Sequence, residues 1–97
     1  MIRNVVLAKL VNGYDADEVT AIQDGLRNLQ TPGTVRYTIG TDAGLRDGNW
    51  DFVIVADFED VAAYRAYDDD AAHNALRARL APFVDQIARA QFEIADS

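Results

Sequence analysis

The sequence predicts an α+β domain in which helices cover one face of a four-stranded antiparallel sheet. Three observations support this prediction. Candidate strands and helices follow in the order strand, helix, strand, strand, helix, strand. Two of the strands carry apolar side chains on both faces. Hydrophobic residues make up 49% of the chain and charged residues 26%, which is typical of a globular protein. With 97 residues, we expect positions 1–97 to form a single domain.

The first strand and helix are predicted from a change in hydrophobic period. Ile2 to Val11 is rich in β-branched residues, with apolar side chains at odd and even positions, which indicates a strand covered on both faces. Asp15 followed by Glu18 resembles a capping box, so a helix is expected to begin there. Apolar residues then recur at helical spacing, at Val19, Ile22, Leu26 and Leu29. The segment from Thr31 to Gly33, with its proline and glycine, should end this helix.

Two strands joined by a loop are predicted next. Thr34 to Gly40 alternates strictly and places Val35, Tyr37 and Ile39 on one face. Thr41 to Asn49 is rich in glycine, aspartate and asparagine, which favours a long hairpin loop. Trp50 to Phe58 reads as a strand with apolar residues on both faces.

A broken helical region and a last strand complete the pattern. Asp60 is the expected N-cap of a short helix, and the acidic triplet Asp68 to Asp70 interrupts it and supplies a new N-cap. The second helical stretch is disturbed or ended by Pro82. Its apolar stripe comprises His73, Leu76, Leu80 and Phe83, with Arg77 and Arg79 toward solvent. The final strand is expected roughly from Arg89 to Ile94.

This order is the split βαβ arrangement of ferredoxin-like domains, in which strands one and three lie in the middle of the sheet. Helices cover one face only, so the second apolar face, with Val5, Leu7, Val53 and Val55, needs another partner. Covering a few hundred Å² of apolar surface would contribute on the order of 10 kcal/mol before association costs. We therefore predict a homodimer whose two sheets curl into a dimeric α+β barrel.

Charge and composition exclude several classes of partner. Sixteen acidic against nine basic residues give a net charge of −7, which disfavours nucleic acid and anionic membrane surfaces. The chain has no cysteine, so disulfides and thiolate chemistry are excluded. The longest apolar run, Val5 to Ala8, is too short for a membrane helix, and no signal peptide is apparent. These features predict a cytoplasmic protein.

No cofactor is predicted, because the chain has neither a phosphate-binding loop nor a nucleotide fingerprint. The triplet Asp68 to Asp70 is the one candidate for a divalent cation. Three adjacent aspartates at a helix break point in different directions, however, so we interpret them as a solvated cap and predict no metal site.

His73 and Tyr67 are the candidate catalytic residues. His73 is the only histidine, so any general base that acts through an imidazole must be this residue. In the first helical turn the helix dipole disfavours its protonation and the neighbouring aspartates favour it, so the sequence leaves the sign of its pKa shift open. Tyr67 precedes it by six residues across the helix break, and the two could converge on one ligand. The alternative is that both are ordinary core residues.

Further residues are candidates for lining a substrate cavity. Asn4 shares a strand face with Ile2 and Val6 and could donate an amide hydrogen to a ligand or satisfy a neighbouring backbone group. Aromatic side chains could line an apolar cavity or form plain core. The substrate-binding candidates are Asn4, Tyr37, Trp50, Phe52, Tyr64 and Phe92.

Four segments together resemble the stress-responsive A/B barrel (Dabb) family. They are Ile-Arg-Asn-Val-Val-Leu-Ala-Lys-Leu, Leu-x-x-Leu-x-Thr-Pro-Gly, Trp-Asp-Phe-Val-Ile-Val-Ala-Asp-Phe-Glu-Asp and Tyr-Arg-Ala-Tyr-Asp-Asp-Asp-Ala-Ala-His, in chain order. The resemblance spans nearly the whole chain and implies a dimeric α+β barrel. The family includes stress-induced proteins of undefined activity and polyketide cyclases of the olivetolic acid cyclase type.

The resemblance implies roles for Tyr67 and His73, which match the tyrosine and histidine of the cyclase pair. His73 would remove a proton from carbon, and Tyr67 would donate a hydrogen bond to the enolate or alkoxide oxygen. Asn4 departs from the pattern, because many members carry a histidine there. Three hypotheses follow: a cofactor-free cyclase or lyase acting on a small hydrophobic carbonyl ligand, a non-catalytic stress-associated dimer, or a cofactor-free monooxygenase of the similar ferredoxin-like type.

Overall fold

The computed structural model describes residues 1–96. Four strands and three α-helices follow in the predicted order. The strands are β1 (Ile2–Leu10), β2 (Thr34–Thr41), β3 (Phe52–Phe58) and β4 (Val84–Glu93), and the helices are α1 (Ala16–Arg27), α2 (Val61–Asp69) and α3 (Ala71–Leu80), with a 3₁₀ turn at Ala81–Phe83.

The sheet is antiparallel and has the order β2-β3-β1-β4, so the predicted ferredoxin-like α+β fold is confirmed. In the central pair, Val5 lies opposite Val55 and Leu7 opposite Val53. A register shift between Thr34 and Arg36 in β2 removes Val35 from the regular alternation, and its side chain is exposed. The side chains of Tyr37 and Ile39 lie on the side of the sheet that faces the helices.

The bounds of two strands differ from the prediction. β3 begins at Phe52, two residues after the predicted Trp50, and β4 begins at Val84, five residues before Arg89. The early part of β4 pairs with β1 as far as Leu10 opposite Val84. Asp85, Gln86 and Ala88 have low intrinsic strand propensity, so this part of β4 depends on its hydrogen bonds to a central strand rather than on its own side chains.

The core lies between the helices and one face of the sheet. Ala8, Ile22, Phe58 and Ala56 are completely buried there. Asp15 caps α1 by accepting a hydrogen bond from the Glu18 amide at 3.1 Å, as the sequence predicts. Gly33 has φ of +85°, and a Cβ at this position would lie 2.5 Å from Ala63 Cβ, so the turn before β2 brings the backbone close to α2.

The opposite face of the sheet is open in the protomer. Leu7 and Phe92 remain 44% and 48% exposed, and Val5, Val53 and Val55 are only partly buried beside them. An ion pair between Arg3 and Asp57, with contacts of 2.7 and 3.0 Å, lies at one end of this face. The second apolar face expected from the sequence therefore exists, and the protomer's own helices leave it uncovered.

Among the helices described, none is both long enough and apolar enough to span a membrane.

Candidate functional site

The break between α2 and α3 positions the candidate pair. Asp70 adopts an extended conformation, ends α2 and serves as N-cap of α3, where its carboxylate accepts a hydrogen bond from the His73 amide at 3.0 Å. This places His73 in the first turn of α3. Tyr67 lies in the last turn of α2, so the change of direction at Asp70 turns the two side chains toward each other.

Tyr67 and His73 are stacked. Their ring centroids are 4.0 Å apart and their planes differ by 28°. The hydroxyl oxygens of Tyr67 and Tyr37 are 2.9 Å apart, in a hydrogen bond that either hydroxyl can donate. Phe58 packs on the other side of Tyr67 at a centroid distance of 5.1 Å. Contacts with Tyr37 of β2 and Phe58 of β3 thus hold the Tyr67 side chain in place, with its ring stacked on the imidazole of His73.

A cavity of about 70 Å³ lies beside the stacked rings, between the sheet and α2 and α3. Its apolar wall consists of Val6, Leu26, Phe52, Ile54, Leu80 and Ile87. Its polar groups come from Asn4, Tyr64, Tyr67, Asp68, His73, Arg77 and Arg89. The cavity is mostly apolar, with a few polar groups that converge on it, as is usual for small-molecule sites.

The surroundings of His73 keep its imidazole neutral. The side chain is only 6% exposed, and burial lowers its pKa below the usual value. The guanidinium of Arg77 lowers the pKa further. The Tyr67 and Asp68 carbonyls and the Asp68 carboxylate act in the opposite direction and reduce the shift without reversing it. The sequence left open whether the pKa of His73 is raised or lowered, and the structure shows that its surroundings lower it.

The imidazole also carries an unused polar atom. Nδ1 of His73 is the single buried side-chain nitrogen or oxygen in residues 1–96 without a hydrogen-bond partner. Such an atom costs free energy unless a ligand or water satisfies it. Nδ1 itself is enclosed by the protein, so it does not face the cavity, although other atoms of His73 line it.

Tyrosines around the cavity remain protonated at physiological pH. Burial raises the pKa of Tyr67 far above its usual value, and the contact with Tyr37 adds to the effect. Burial likewise raises the pKa of Tyr37 and of Tyr64. Tyr67 and Tyr64, which line the cavity, are therefore available as hydroxyl donors.

Asn4 is buried on the helix-facing side of β1. Its Oδ1 accepts a hydrogen bond from Gln91 Nε2 of β4 at 2.8 Å. The partner is thus a side chain, whereas the sequence suggested a backbone group as the alternative to a ligand. Within residues 1–96 its amide nitrogen has no hydrogen-bond partner and is not fully buried, so it can donate into the cavity.

The structure brings five of the predicted site residues together and separates three others. Asn4, Phe52, Tyr64, Tyr67 and His73 all line the cavity. Tyr37 lies behind Tyr67 and reaches the site only through its hydroxyl. Trp50 precedes β3 and borders a hollow with Leu7 and Val53 of the open sheet face. Phe92 lies opposite Arg3 in the sheet, on the open face, because side chains alternate along β4.

Eight of the thirteen residues that line the cavity were not predicted as site residues, and three of these bear most on its charge and shape. Arg77 was assigned to solvent, and Ile87 and Arg89 were not considered as site residues. Ile87 and Arg89 share one face of β4 with Gln91, which faces Asn4. This alternation and the two positive charges in a strongly acidic chain were the available indications. The predicted strand began at Arg89 and so left out Ile87, which is why the alternation of Ile87, Arg89 and Gln91 was not recognised.

The acidic triplet has structural contacts. Asp70 caps α3, and Asp68 forms an ion pair with Arg77 at 3.1 Å. Across positions 1–96, no group of three or more histidine, cysteine, aspartate or glutamate side chains is arranged to hold a metal ion.

Comparison with known proteins shows the family to which this chain belongs. The family model described as the stress responsive A/B barrel domain matches residues 2–94. A dimeric ferredoxin-like protein of unknown function from Thermobifida fusca is 33% identical, with a TM-score of 0.88 over 96% of this chain and 90% of that one. A comparison with curated proteins gives no significant match.

Two further solved structures share the fold at lower identity. Hydroxynitrile lyase from Passiflora edulis is 18% identical with a TM-score of 0.83, over 99% of this chain and 94% of that one. A Dabb family protein from Mesorhizobium loti is 20% identical with a TM-score of 0.76, over 98% and 97% of the two chains.

Proposed function

We propose that this chain, which belongs to the stress-responsive A/B barrel domain family, is a cofactor-free enzyme that moves a proton on a small carbonyl compound. The observation that carries the proposal is the stack of a buried, neutral His73 on Tyr67 at the wall of an apolar cavity. A neutral imidazole can accept a proton, and a phenol with a raised pKa can donate a hydrogen bond without ionising.

In the proposed mechanism, His73 takes a proton from a carbon that lies between two carbonyl groups. The electron pair of the broken C–H bond moves onto one carbonyl oxygen and forms an enolate. The Tyr67 hydroxyl donates a hydrogen bond to that oxygen, and in this complex Tyr37 would be the donor of the Tyr37–Tyr67 hydrogen bond, which either hydroxyl can donate. The Asn4 amide is available for the second carbonyl. Return of the proton from His73 to carbon completes an exchange.

The finer form of the proposal is a lyase or cyclase acting on a polyketide-like substrate. There the enolate carbon attacks a second carbonyl of the same molecule, and the resulting alkoxide takes the proton held by His73. The cavity is small, with a volume of about 70 Å³. A longer chain would therefore extend through the mouth. The structural likeness to a hydroxynitrile lyase supports the fold's capacity for lyase chemistry and is silent on the substrate.

The working form of the enzyme is proposed to be a homodimer. The Thermobifida fusca relative is described as dimeric, and the apolar open sheet face of this protomer supports the same assembly. His73 and Tyr67 lie on the opposite side of the sheet, so each protomer would contain a separate site.

The experiment measures hydrogen exchange at a carbon acid. Dimethyl malonate carries hydrogens between two carbonyl groups, and their replacement by deuterium in D₂O can be followed by proton NMR. We expect wild type to accelerate the exchange. His73→Gln should lower the catalysed rate by about a hundredfold or more, because it removes the base, and Tyr67→Phe should lower it by a smaller factor.

Arg79→Gln is the matched control. Arg79 lies on α3 like His73, but it is exposed and bonds Glu18 of α1 at 2.7 Å, away from the cavity. This variant should keep the wild-type exchange rate. Exchange at the buffer rate by a folded wild-type protein would reject the catalytic proposal in favour of a non-catalytic dimer, and so would a rate that His73→Gln leaves unchanged.

A further inference from the structure

The rim of the cavity is positively charged in a chain that is negative as a whole. Arg77 of α3 and Arg89 of β4 line it, and Asp68 is its one carboxylate among the described residues, which leaves a balance of one positive charge. The chain's own net charge is −7. The charged residues that line the cavity therefore have a balance opposite in sign to the net charge of the chain.

Arg89 has no ion-pair partner in this arrangement. Among residues 1–96 no carboxylate lies within 4.0 Å of its guanidinium, whereas Arg77 contacts Asp68 at 3.1 Å. Three other arginines of residues 1–96 also lack an ion pair, and Arg89 is the one of these four that lines the cavity. An arginine of this kind presents a planar set of donors that matches a carboxylate in two parallel hydrogen bonds.

We propose that the cavity takes a carbonyl compound that also bears a carboxylate, with the carboxylate at Arg89 and Arg77 and the carbonyl end beside His73 and Tyr67. This inference adds a carboxylate to the substrate class of the proposed function. The position of the carbonyl end rests on the proposed function, and the position of the carboxylate does not. The small size of the cavity, about 70 Å³, agrees with a ligand of which only the keto end is enclosed.

The positions of the neighbouring residues support this orientation. Arg89 lies opposite Val6 in the sheet, two residues along β1 from Asn4, so it shares the cavity-facing side of β4 with Gln91. Burial raises the pKa of Tyr64, Asp68 adds to the rise, and Arg89 and Arg77 oppose it, which agrees with the position of all three charged residues in the lining of the cavity. The buried side chains of His73 and Tyr67 line the same cavity and supply uncharged polar groups there.

The test compares the binding of 4-oxopentanoate with that of its primary amide by isothermal titration calorimetry. The two probes have the same length and the same ketone, and the amide replaces the charged carboxylate by a neutral group of similar size. We expect the acid to bind about tenfold more tightly than the amide, because charge-assisted hydrogen bonds are stronger than neutral ones. The advantage should shrink as salt is raised, since the arginines are at the surface.

Arg89→Gln should remove most of the preference for the acid and leave the amide's affinity unchanged. Arg77→Gln should have a smaller effect, because Asp68 already occupies part of its guanidinium. Arg79→Gln, which removes an arginine outside the cavity, controls for net charge. Equal affinities for acid and amide would overturn the proposal, as would equal losses in Arg89→Gln and Arg79→Gln.

The binding assay also separates this inference from the catalytic proposal. If the acid binds through Arg89 while no variant or substrate shows catalysed exchange, the anion site stands and the enzymatic proposal fails. If exchange depends on His73 and the acid has no advantage over the amide, the anion site fails and the enzymatic proposal stands.

Discussion

At the scale of the residue, the chemistry of His73 depends on its neighbours rather than on its place in the chain. An isolated histidine titrates near pH 6.5. Here burial and Arg77 lower the pKa, and the nearby carbonyls and the Asp68 carboxylate only moderate the shift. A base that remains unprotonated at neutral pH is what proton abstraction from carbon requires.

An NMR titration can test this directly, because the chain has one histidine and hence one imidazole signal. We expect its midpoint below about pH 6.5. Arg77→Gln should move the midpoint upward by removing a positive charge, and Arg79→Gln should leave it in place. A wild-type midpoint at or above the ordinary value would contradict the proposed state of the base.

The same shift predicts the direction of a stability change. The folded chain holds a neutral His73 at pH values where the unfolded chain already binds a proton. The free energy of unfolding should therefore fall as the pH drops below about 6.5, until the folded-state pKa is reached. Urea denaturation of wild type and His73→Gln at several pH values would show this loss in wild type. A similar slope in the variant over this range would assign it to other groups.

At the scale of the element, the relative position of the Tyr67 and His73 side chains depends on the break between α2 and α3. Asp70 accepts a hydrogen bond from the His73 amide, and its extended backbone separates the two helices. A continuous helix would place positions 67 and 73 on different sides, because six residues correspond to about 600° of rotation. The break is what lets the rings of Tyr67 and His73 stack.

Asp70→Ala should therefore harm both stability and the site. We expect a loss of about 1 kcal/mol in the free energy of unfolding, as is usual for a helix N-cap. We also expect the ring-current shift of the His73 signal to change as the stack loosens. Asp69→Ala is the matched control, since Asp69 is exposed and makes no side-chain hydrogen bond among the described residues. Equal effects of the two substitutions would show that the cap is unimportant.

At the scale of the whole molecule, the two faces of the sheet have different roles. The helix-facing side holds the core and the cavity, and the open side presents Leu7, Phe92 and the central valines. A partner protomer on the open side would cover apolar surface without closing the cavity. Assembly and substrate binding would then use opposite sides of one sheet.

Leu7→Glu should convert the protein to a monomer. Burying a carboxylate in an apolar interface is unfavourable unless it is paired, so sedimentation at micromolar concentration should show half the wild-type mass. Val61→Glu is a close control, because Val61 is 48% exposed on α2 and Leu7 is 44% exposed on the sheet. The two substitutions should act alike if the protein is monomeric, and a monomeric wild type would reject the dimer outright.

The sequence alone determined the element order, the central position of β1 and β3, and the caps at Asp15, Asp60 and Asp70. It also singled out Tyr67, His73 and Asn4. These features follow from local patterns, because hydrophobic period and capping chemistry act between residues close in the chain. The resemblance to the family motifs added the prediction that Tyr67 and His73 act as a pair.

The tertiary structure decided what depends on contacts between distant segments. The early half of β4 forms because β1 pairs with it, and that pairing brings Arg89 and Ile87 to the cavity while it turns Phe92 away. The sign of the His73 pKa shift needed the burial and the charges around the ring. Backbone pairing and desolvation act through space, so no pattern along the chain could supply them.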